Sequence, residues 1–399
     1  MQGSPAGVDL ADPGFWRLGE PDRMAAFARL RQLDRPVFFA EQAGGFHALV
    51  RHRHVVAASR RPDVFRSGQG VTTPRPARWA RVLLGDSMVN LDDPRHAELR
   101  GIVSGAFTPR VLARAADDVR RTVREIVDDV AARRPDDFVA AVAAELPLRV
   151  ICSMMGIPAG RRPQVLRQLD QTTGHTAIGR LRVPGLGLWD LVRLHRLVGE
   201  VARVRRRRPT DDLISALVTA DLAGRELGSF FSLLLVAGVE TTRNAIAHGL
   251  RLLTDHPEQR ELLRSDFDRY GVGFADEVVR YASPIIQFRR TLARDYDLDG
   301  HPLRAGDDVL LFYASANRDE SVFDDPDRFD ITRTPNPHVG FGGGGPHFCL
   351  GAALARQEMS VLFRELYSRF PAIRATGPAE FVPSNFDHRV RRLPFTFQA

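Results

Sequence analysis

A lone cysteine closes a glycine run at residues 341–351, Phe-Gly-Gly-Gly-Gly-Pro-His-Phe-Cys-Leu-Gly, and the amphipathic run Gly351-Ala352-Ala353-Leu354-Ala355-Arg356 begins at once. A thiolate at Cys349 gains from the partial positive charge of a helix N-terminus and from the backbone N–H groups there. The glycines let backbone approach a flat ligand closely. This suits a single sulfur ligating a metal in an apolar setting. A haem iron is the leading candidate, because thiolate ligation pushes electron density onto iron. The competing readings are a strand-to-helix turn with a buried, inert cysteine, or a phosphate loop.

Other segments carry polar groups at telling spacings. Ala237-Gly238-Val239-Glu240-Thr241-Thr242 interrupts an apolar stretch inside a long helix expected over residues 230–255. Glycine in a helix interior costs about 1 kcal/mol against alanine. The segment therefore predicts a helix opened locally, where a threonine hydroxyl bonds backbone or a small ligand. An ordinary threonine-bearing core helix is the plainer alternative. Glu277 and Arg280 stand three apart, on one face of a helix that stops at Ser283-Pro284. Most such pairs are solvated surface ion pairs. His96 and Arg100, four apart, project from one helical face.

Taken in order along residues 92–356, these segments resemble the cytochrome P-450 superfamily of haem-thiolate monooxygenases, in its bacterial soluble form. The resemblance implies that Cys349 is the axial metal ligand, with Phe341 and Gly351 in the cofactor loop. It makes Glu240 and Thr241 an acid–alcohol pair, flanked at the oxygen pocket by Ala237 and Gly238. His96, Arg100, Arg290 and His347 become propionate partners, with Arg289 able to trade roles with Arg290. Arg328, in the meander-like segment 325–330, completes a buried triad with Glu277 and Arg280. In one respect the chain departs from the family pattern: Phe341 lies eight residues before Cys349 instead of seven, so the loop carries one extra residue. Similar glycine-rich loops occur in members that oxidise sterol side chains and branched lipids. The implied reaction inserts one oxygen atom from dioxygen into a C–H bond, using heme b and electrons from an external small acidic ferredoxin and an NAD(P)H-dependent reductase. Peroxide-using relatives carry Arg-Pro in place of the acid–alcohol pair, so Glu240-Thr241 favours the reductase-dependent route.

The elements that must position these groups read as mainly α with small β-sheets; the resemblance implies a cytochrome P-450 fold with haem between the long central helix and the cysteine loop. Helices are expected over residues 109–131, 161–171, 188–205, 230–255 and 351–370; strands are expected at 37–39 and 309–312, with a hairpin over 296–303. No linker, repeat or low-complexity tract divides the 399 residues. A single domain over 1–399 is expected, with a β-richer part at about 1–60. No signal peptide and no apolar run near the ~20 residues of a membrane span is visible, so a soluble, cytoplasmic, monomeric protein without a membrane anchor is expected. Two cysteines give no disulfide framework, and Cys152, within Val150-Ile151-Cys152-Ser153-Met154, reads as a core thiol. The net charge of +7 rests on arginine alone, since the chain has no lysine. Without a recognition fold or basic–aromatic stripe, the excess does not indicate nucleic acid. Residues 205–208, all arginine, read as a solvated helix end, and a basic face near the cysteine would steer an acidic electron donor.

Pocket walls are expected from residues 70–90, including Met88, from 171–188, and from Val236, Val239, Ile285, Ile286, Phe288 and Phe386. These side chains are mostly apolar, which points to a hydrophobic substrate, and the resemblance of the glycine-rich loop implies a steroid, terpenoid or lipid. Alternatives are a tailoring oxidase acting on a polyketide or aromatic natural product, and a non-catalytic haem-binding module that recruits a partner enzyme. Arg75, Arg78 and Arg81 are placed to meet a carboxylate or carrier phosphate at the pocket mouth, although exposed loop arginines without a ligand are commoner.

Overall fold

The computed structural model describes residues 5–41, 44–73, 75, 87–106, 109–165, 167, 186–210, 212–220 and 224–398. The elements that build the site are, in chain order, α1 (Glu20–Arg31), β1 (Val37–Glu41), β2 (Gly44–Leu49), α2 (His52–Arg60), β3 (Phe65–Arg66), α3 (Arg95–Ala106), α4 (Pro109–Arg133), α5 (Glu145–Met154), α6 (Leu186–Arg207), α7 (Gly224–Leu235), α8 (Thr241–Asp255), α9 (Phe267–Ala282), β4 (Gln287–Leu292), β5 (Asp308–Phe312) and α10 (Ala352–Arg369).

Helical periodicity explains the larger core. Along α4, Val119, Val123, Ile126, Val127 and Val130 recur at threes and fours, and all are buried. They meet Ile246 and Leu250 of α8, Phe274 and Val278 of α9, and Leu362, Phe363 and Leu366 of α10. Full burial of each such side chain contributes about 1.5–3 kcal/mol. Close approach of α8 and α10 needs glycine, because a Cβ on Gly249 would lie 2.8 Å from the Phe363 ring. A second core joins Leu99 and Val103 of α3, Ile151 and Cys152 of α5, Leu197 and Val198 of α6, and Phe230 and Phe231 of α7. Burial pushes the Cys152 thiol up to about 12, which leaves it an inert core group.

The main sheet has the order β1-β2-β5-β4-β3. β2 and β5 run parallel, His47 to Leu49 alongside Val309 to Leu311; the other pairings are antiparallel. The strands near the N-terminus thus complete a sheet with strands from residues 287–312, and β structure is not confined to 1–60. The helices expected over 109–131, 188–205 and 351–370 are found as α4, α6 and α10. For the helix expected over 161–171, residues 162–165 and 167 are helical and the others beyond 165 lie outside the described residues.

The arginine run closing α6 is not uniformly solvated. Arg205 is largely buried and pairs with Asp212, and its NH2 donates to Gly156 O at 3.2 Å, while Arg206, Arg207 and Arg208 are exposed. Among the described residues no helix is long and apolar enough to cross a membrane.

Candidate active site

The loop before α10 is shaped by its contact with α2. Gly342, Gly344 and Gly345 have φ of 106°, 86° and 79°, a region that favours glycine. A Cβ on Gly345 would lie 2.3 Å from the Ser59 carbonyl oxygen, and one on Gly343 2.6 Å from Ser59 Oγ. The glycines are therefore needed both for backbone conformation and for packing. The Cys349 N–H donates to Phe341 O at 2.9 Å, so the residues between form a closed loop. The Phe341 ring lies 4.6 Å from the Arg356 guanidinium carbon and 5.5 Å from the His338 ring. Cys349 is a free thiol lining a cavity of about 470 Å³, three residues before the first residue of α10. Burial pushes its thiol up, opposed by the N–H groups of Gly351 and Ala352 and by Arg100 and Arg356.

Across the cavity, the central helix opens where its sequence predicts. Residues Val236–Glu240 form a π-helical turn between α7 and α8, and the Thr241 hydroxyl donates back to Ala237 O. Val236, Ala237, Gly238, Glu240 and Thr241 line the cavity. Glu240, 5% exposed in its side chain, is flanked by Arg243 at 3.5 Å and Arg389 at 3.7 Å. Met88, Ile151, Met155, Phe230, Ile285, Phe288 and Phe386 supply apolar wall. Two expected wall residues face elsewhere. Val239 is fully buried in the core formed with α5 and α6, because it lies on the other side of the π turn. Ile286 packs in the cluster of Phe312 and Ala314 while its N–H bonds Phe386 O at 2.8 Å. Consecutive residues of extended chain point oppositely, so Ile285 takes the cavity and Ile286 the sheet side.

One edge of the cavity is crowded with basic groups. The His96 and His347 rings lie 4.1 Å apart, and Arg100 donates to Phe348 O at 2.6 Å. Burial, with Arg290, His96 and Arg100 nearby, pushes His347 down to about 3. Burial also lowers His96 and Arg290. Arg290 is 4% exposed and donates to Arg289 O at 2.8 Å. His96 Nε2 is buried without a hydrogen-bond partner. Arg289 points away, held by Asp308 at 2.8 Å and by Thr73 Oγ1 at 3.2 Å. Adjacent residues of β4 face opposite sides, so Arg290 alone of the two reaches the cavity. A thiol opposite an opened helix, an apolar slot between them and a cationic edge with an orphaned nitrogen together fit a haem with two carboxylates.

Behind the loop, Glu277 and Arg280 are fully buried and paired through two 2.8 Å hydrogen bonds. Arg280 also donates to Asn317 O, Pro326 O and Arg328 O at 2.8–3.0 Å. The expectation for Arg328 is corrected: its side chain is 64% exposed and reaches only Asp330, at 3.9 Å, so it contributes its carbonyl alone. Arg333 takes the third position, 3.4 Å from Glu277 with 10% of its side chain exposed. Asn336 Nδ2 and the Asp330 N–H also donate to Glu277, at 3.1 and 2.9 Å.

Two further features of the cavity are not singled out by the sequence. Glu358 of α10 lines it fully buried, its carboxyl pushed up to about 8 by burial. Asp387 and Arg389 line it from the C-terminal segment. At the expected pocket mouth, Arg75 bonds Asp308 and Thr291. Arg78, Arg81 and residues 171–185 lie outside the described residues.

A cysteine facing an opened helix across an apolar cavity, in a mainly helical fold, defines the haem-thiolate oxygenases. The chain belongs to the cytochrome P-450 family, whose profile matches residues 195–378. It is 42% identical to a methyl-branched lipid omega-hydroxylase of Mycobacterium tuberculosis, over 98% of this chain and 95% of the relative. It is 35% identical to a steroid C26-monooxygenase of Mycobacterium bovis, over 96% and 90% of the two chains. A Mycobacterium marinum cytochrome P-450 in complex with pseudoionone superposes with a TM-score of 0.91 at 40% identity, covering 98% of each chain. The chain is thus a cytochrome P-450 monooxygenase with heme b as cofactor, supplied with electrons by a redox partner.

Proposed function

We propose that this chain hydroxylates an unactivated C–H bond at the apolar end of a branched lipid or terpenoid, with Cys349 as iron ligand and Glu240 and Thr241 managing protons. The observation that carries the reading is the wall composition. Met88, Ile151, Phe230, Val236, Ile285 and Phe288 line the same cavity as Thr241, and a hydrocarbon terminus is what such apolar wall accepts. The names of the relatives point the same way: one acts on methyl-branched lipids, and a structural neighbour holds pseudoionone.

In this reading Cys349 would hold the haem metal, its thiolate favoured by the Gly351 and Ala352 N–H groups and by Arg100 and Arg356. His96, Arg100, Arg290 and His347 would hold its propionates. Haem, when bound, supplies the dioxygen-dependent oxidation itself. Thr241, fixed through Ala237 O, orders water at the cavity face, and Glu240 passes protons to it from outside. The apolar walls orient the substrate and exclude bulk water. Glu277, Arg280 and Arg333 fix the segment behind the loop. The chain acts as one monomeric unit over 1–399, and its basic surface near Cys349 steers a small acidic ferredoxin.

Spectral titration of the loaded protein with branched acyl chains, terpenoids, steroids and aromatic polyketides tests the reading. A low-spin to high-spin shift with branched or terpenoid ligands, followed by terminal hydroxylation, is expected. Shifts confined to aromatic polyketides would transfer the protein to the tailoring class. No shift across the series would favour a partner-recruiting module. Replacing Cys349→Ser should abolish the thiolate-type spectrum of the reduced CO complex, and its retention would remove Cys349 as ligand.

A further inference from the structure

We infer that Arg389 is a positioning residue for Glu240, through which the wall of the substrate cavity bears on the proton path. The inference rests on Glu240 as the proton carrier.

Two carboxylates compete for the Arg389 guanidinium. Its Nε and NH2 donate to Asp387 Oδ2 at 3.0 and 2.7 Å, while Nε lies 3.7 Å from Glu240 Oε2. Asp387 is anchored: its Oδ1 accepts from Ser384 Oγ at 2.7 Å, and its backbone forms an isolated bridge with Ile285. The three side chains are 10%, 6% and 5% exposed for Arg389, Asp387 and Glu240. Coulomb terms at such sites are weakly screened, so small changes of separation matter. Arg243 approaches the other Glu240 oxygen at 3.5 Å from the helix itself. Glu240 is therefore bracketed by one cation on its own helix and one on a segment that packs separately.

That separate segment is also substrate wall. Phe386 and Phe288, whose rings lie 5.6 Å apart, both line the cavity, and the backbone of residues 385–388 is tied to 284–286 by the Ile286 N–H to Phe386 O and His388 N–H to Pro284 O bonds. A ligand pressing on Phe386 or Phe288 loads the segment that carries Arg389, just before the strand Val390–Arg392. Displacement of that segment alters how Arg389 is shared between Asp387 and Glu240. The carboxylate that must turn and exchange a proton is thus held by the same wall that senses an occupied cavity.

The test is a double-substitution cycle in the haem-loaded enzyme with its reductase system, using Arg389→Ala, Arg389→Lys, Glu240→Gln and the combined Arg389→Ala/Glu240→Gln. Product formed per NADPH, the solvent isotope effect on kcat, KM and the spectral Kd for substrate are read together. Arg389→Ala is expected to lower product per NADPH roughly three- to tenfold and to raise the isotope effect, with KM, Kd and the CO spectrum unchanged. Lysine should restore part of the loss, since it keeps the charge but not the forked geometry. In the Glu240→Gln background the Arg389→Ala effect should vanish. Persistence of the effect there would overturn the inference, because Arg389 would then act through packing. Unchanged coupling in Arg389→Ala with altered coupling in Glu240→Gln would overturn it while leaving Glu240 in place. No effect of Glu240→Gln would remove Glu240 as carrier, and the inference with it. If Arg389→Ala fails to load haem, Arg389→Gln takes its place in the cycle.

Discussion

With its hydrogen committed to the Ala237 carbonyl, the Thr241 hydroxyl presents lone pairs to the cavity. Water beside it would be oriented as a donor, and the helix opening at Val236–Glu240 makes the arrangement available. Thr241→Ala keeps the cavity apolar but removes that acceptor. Roughly tenfold less product per NADPH is expected, with hydrogen peroxide released in its place. The CO spectrum should be unaffected; unchanged coupling would take Thr241 out of proton handling. The helix opening at Val236–Glu240 was legible in the sequence because a glycine followed by an acid and two threonines inside an apolar helix has a cost that demands a reason. Arg389 was not legible. It stands in a charged C-terminal stretch, and only tertiary packing brings it within reach of Glu240.

At the scale of elements, period separates what could be read from what could not. The helices α4, α6 and α10 follow from apolar residues at threes and fours, and the stop of α9 from Ser283, whose φ of 44° precedes Pro284. The pairing of β2 with β5 joins strands far apart in sequence, and no local pattern encodes it. The meander is the same kind of problem. Arg328 sits among aspartates in an exposed turn, whereas Arg333 follows the buried Phe329 and Ile331; that flanking burial was the available signal. The two arginines give opposite expectations. Arg333→Ala removes a donor from the fully buried Glu277 and should cost about 2 kcal/mol, with weakened haem retention. Arg328→Ala should stay within about 0.5 kcal/mol of the parent. Denaturant unfolding followed by haem absorbance distinguishes them, and equal effects would reject the reassignment.

Across the whole molecule, a buried histidine pair ties distant parts together. Arg23 of α1 donates to His388 Nε2 at 3.3 Å, His388 Nδ1 donates to Ala282 O at 2.8 Å, and His248 of α8 donates to His388 O at 3.0 Å. Burial pushes His388 down to about 4, with Arg23 and Arg251 adding to the shift and Glu20 and the Ala282 carbonyl opposing it. Burial lowers His248 too. The unfolded chain binds more protons than the folded one between pH of about 4 and 6.5, so stability rises with pH across that window and is lost on acidification through it. A shift of that size corresponds to about 3 kcal/mol. His388→Gln should flatten the pH dependence of the unfolding midpoint there, and an unaltered slope would assign the acid sensitivity to other groups. The contact of the glycine loop with Ser59 has a consequence for engineering by recombination. Because α2 serves as the template against which residues 343–345 are shaped, a loop exchanged between relatives of different loop length carries its ligand geometry only when the matching α2 travels with it. The two segments, distant in sequence, form a single exchangeable cassette.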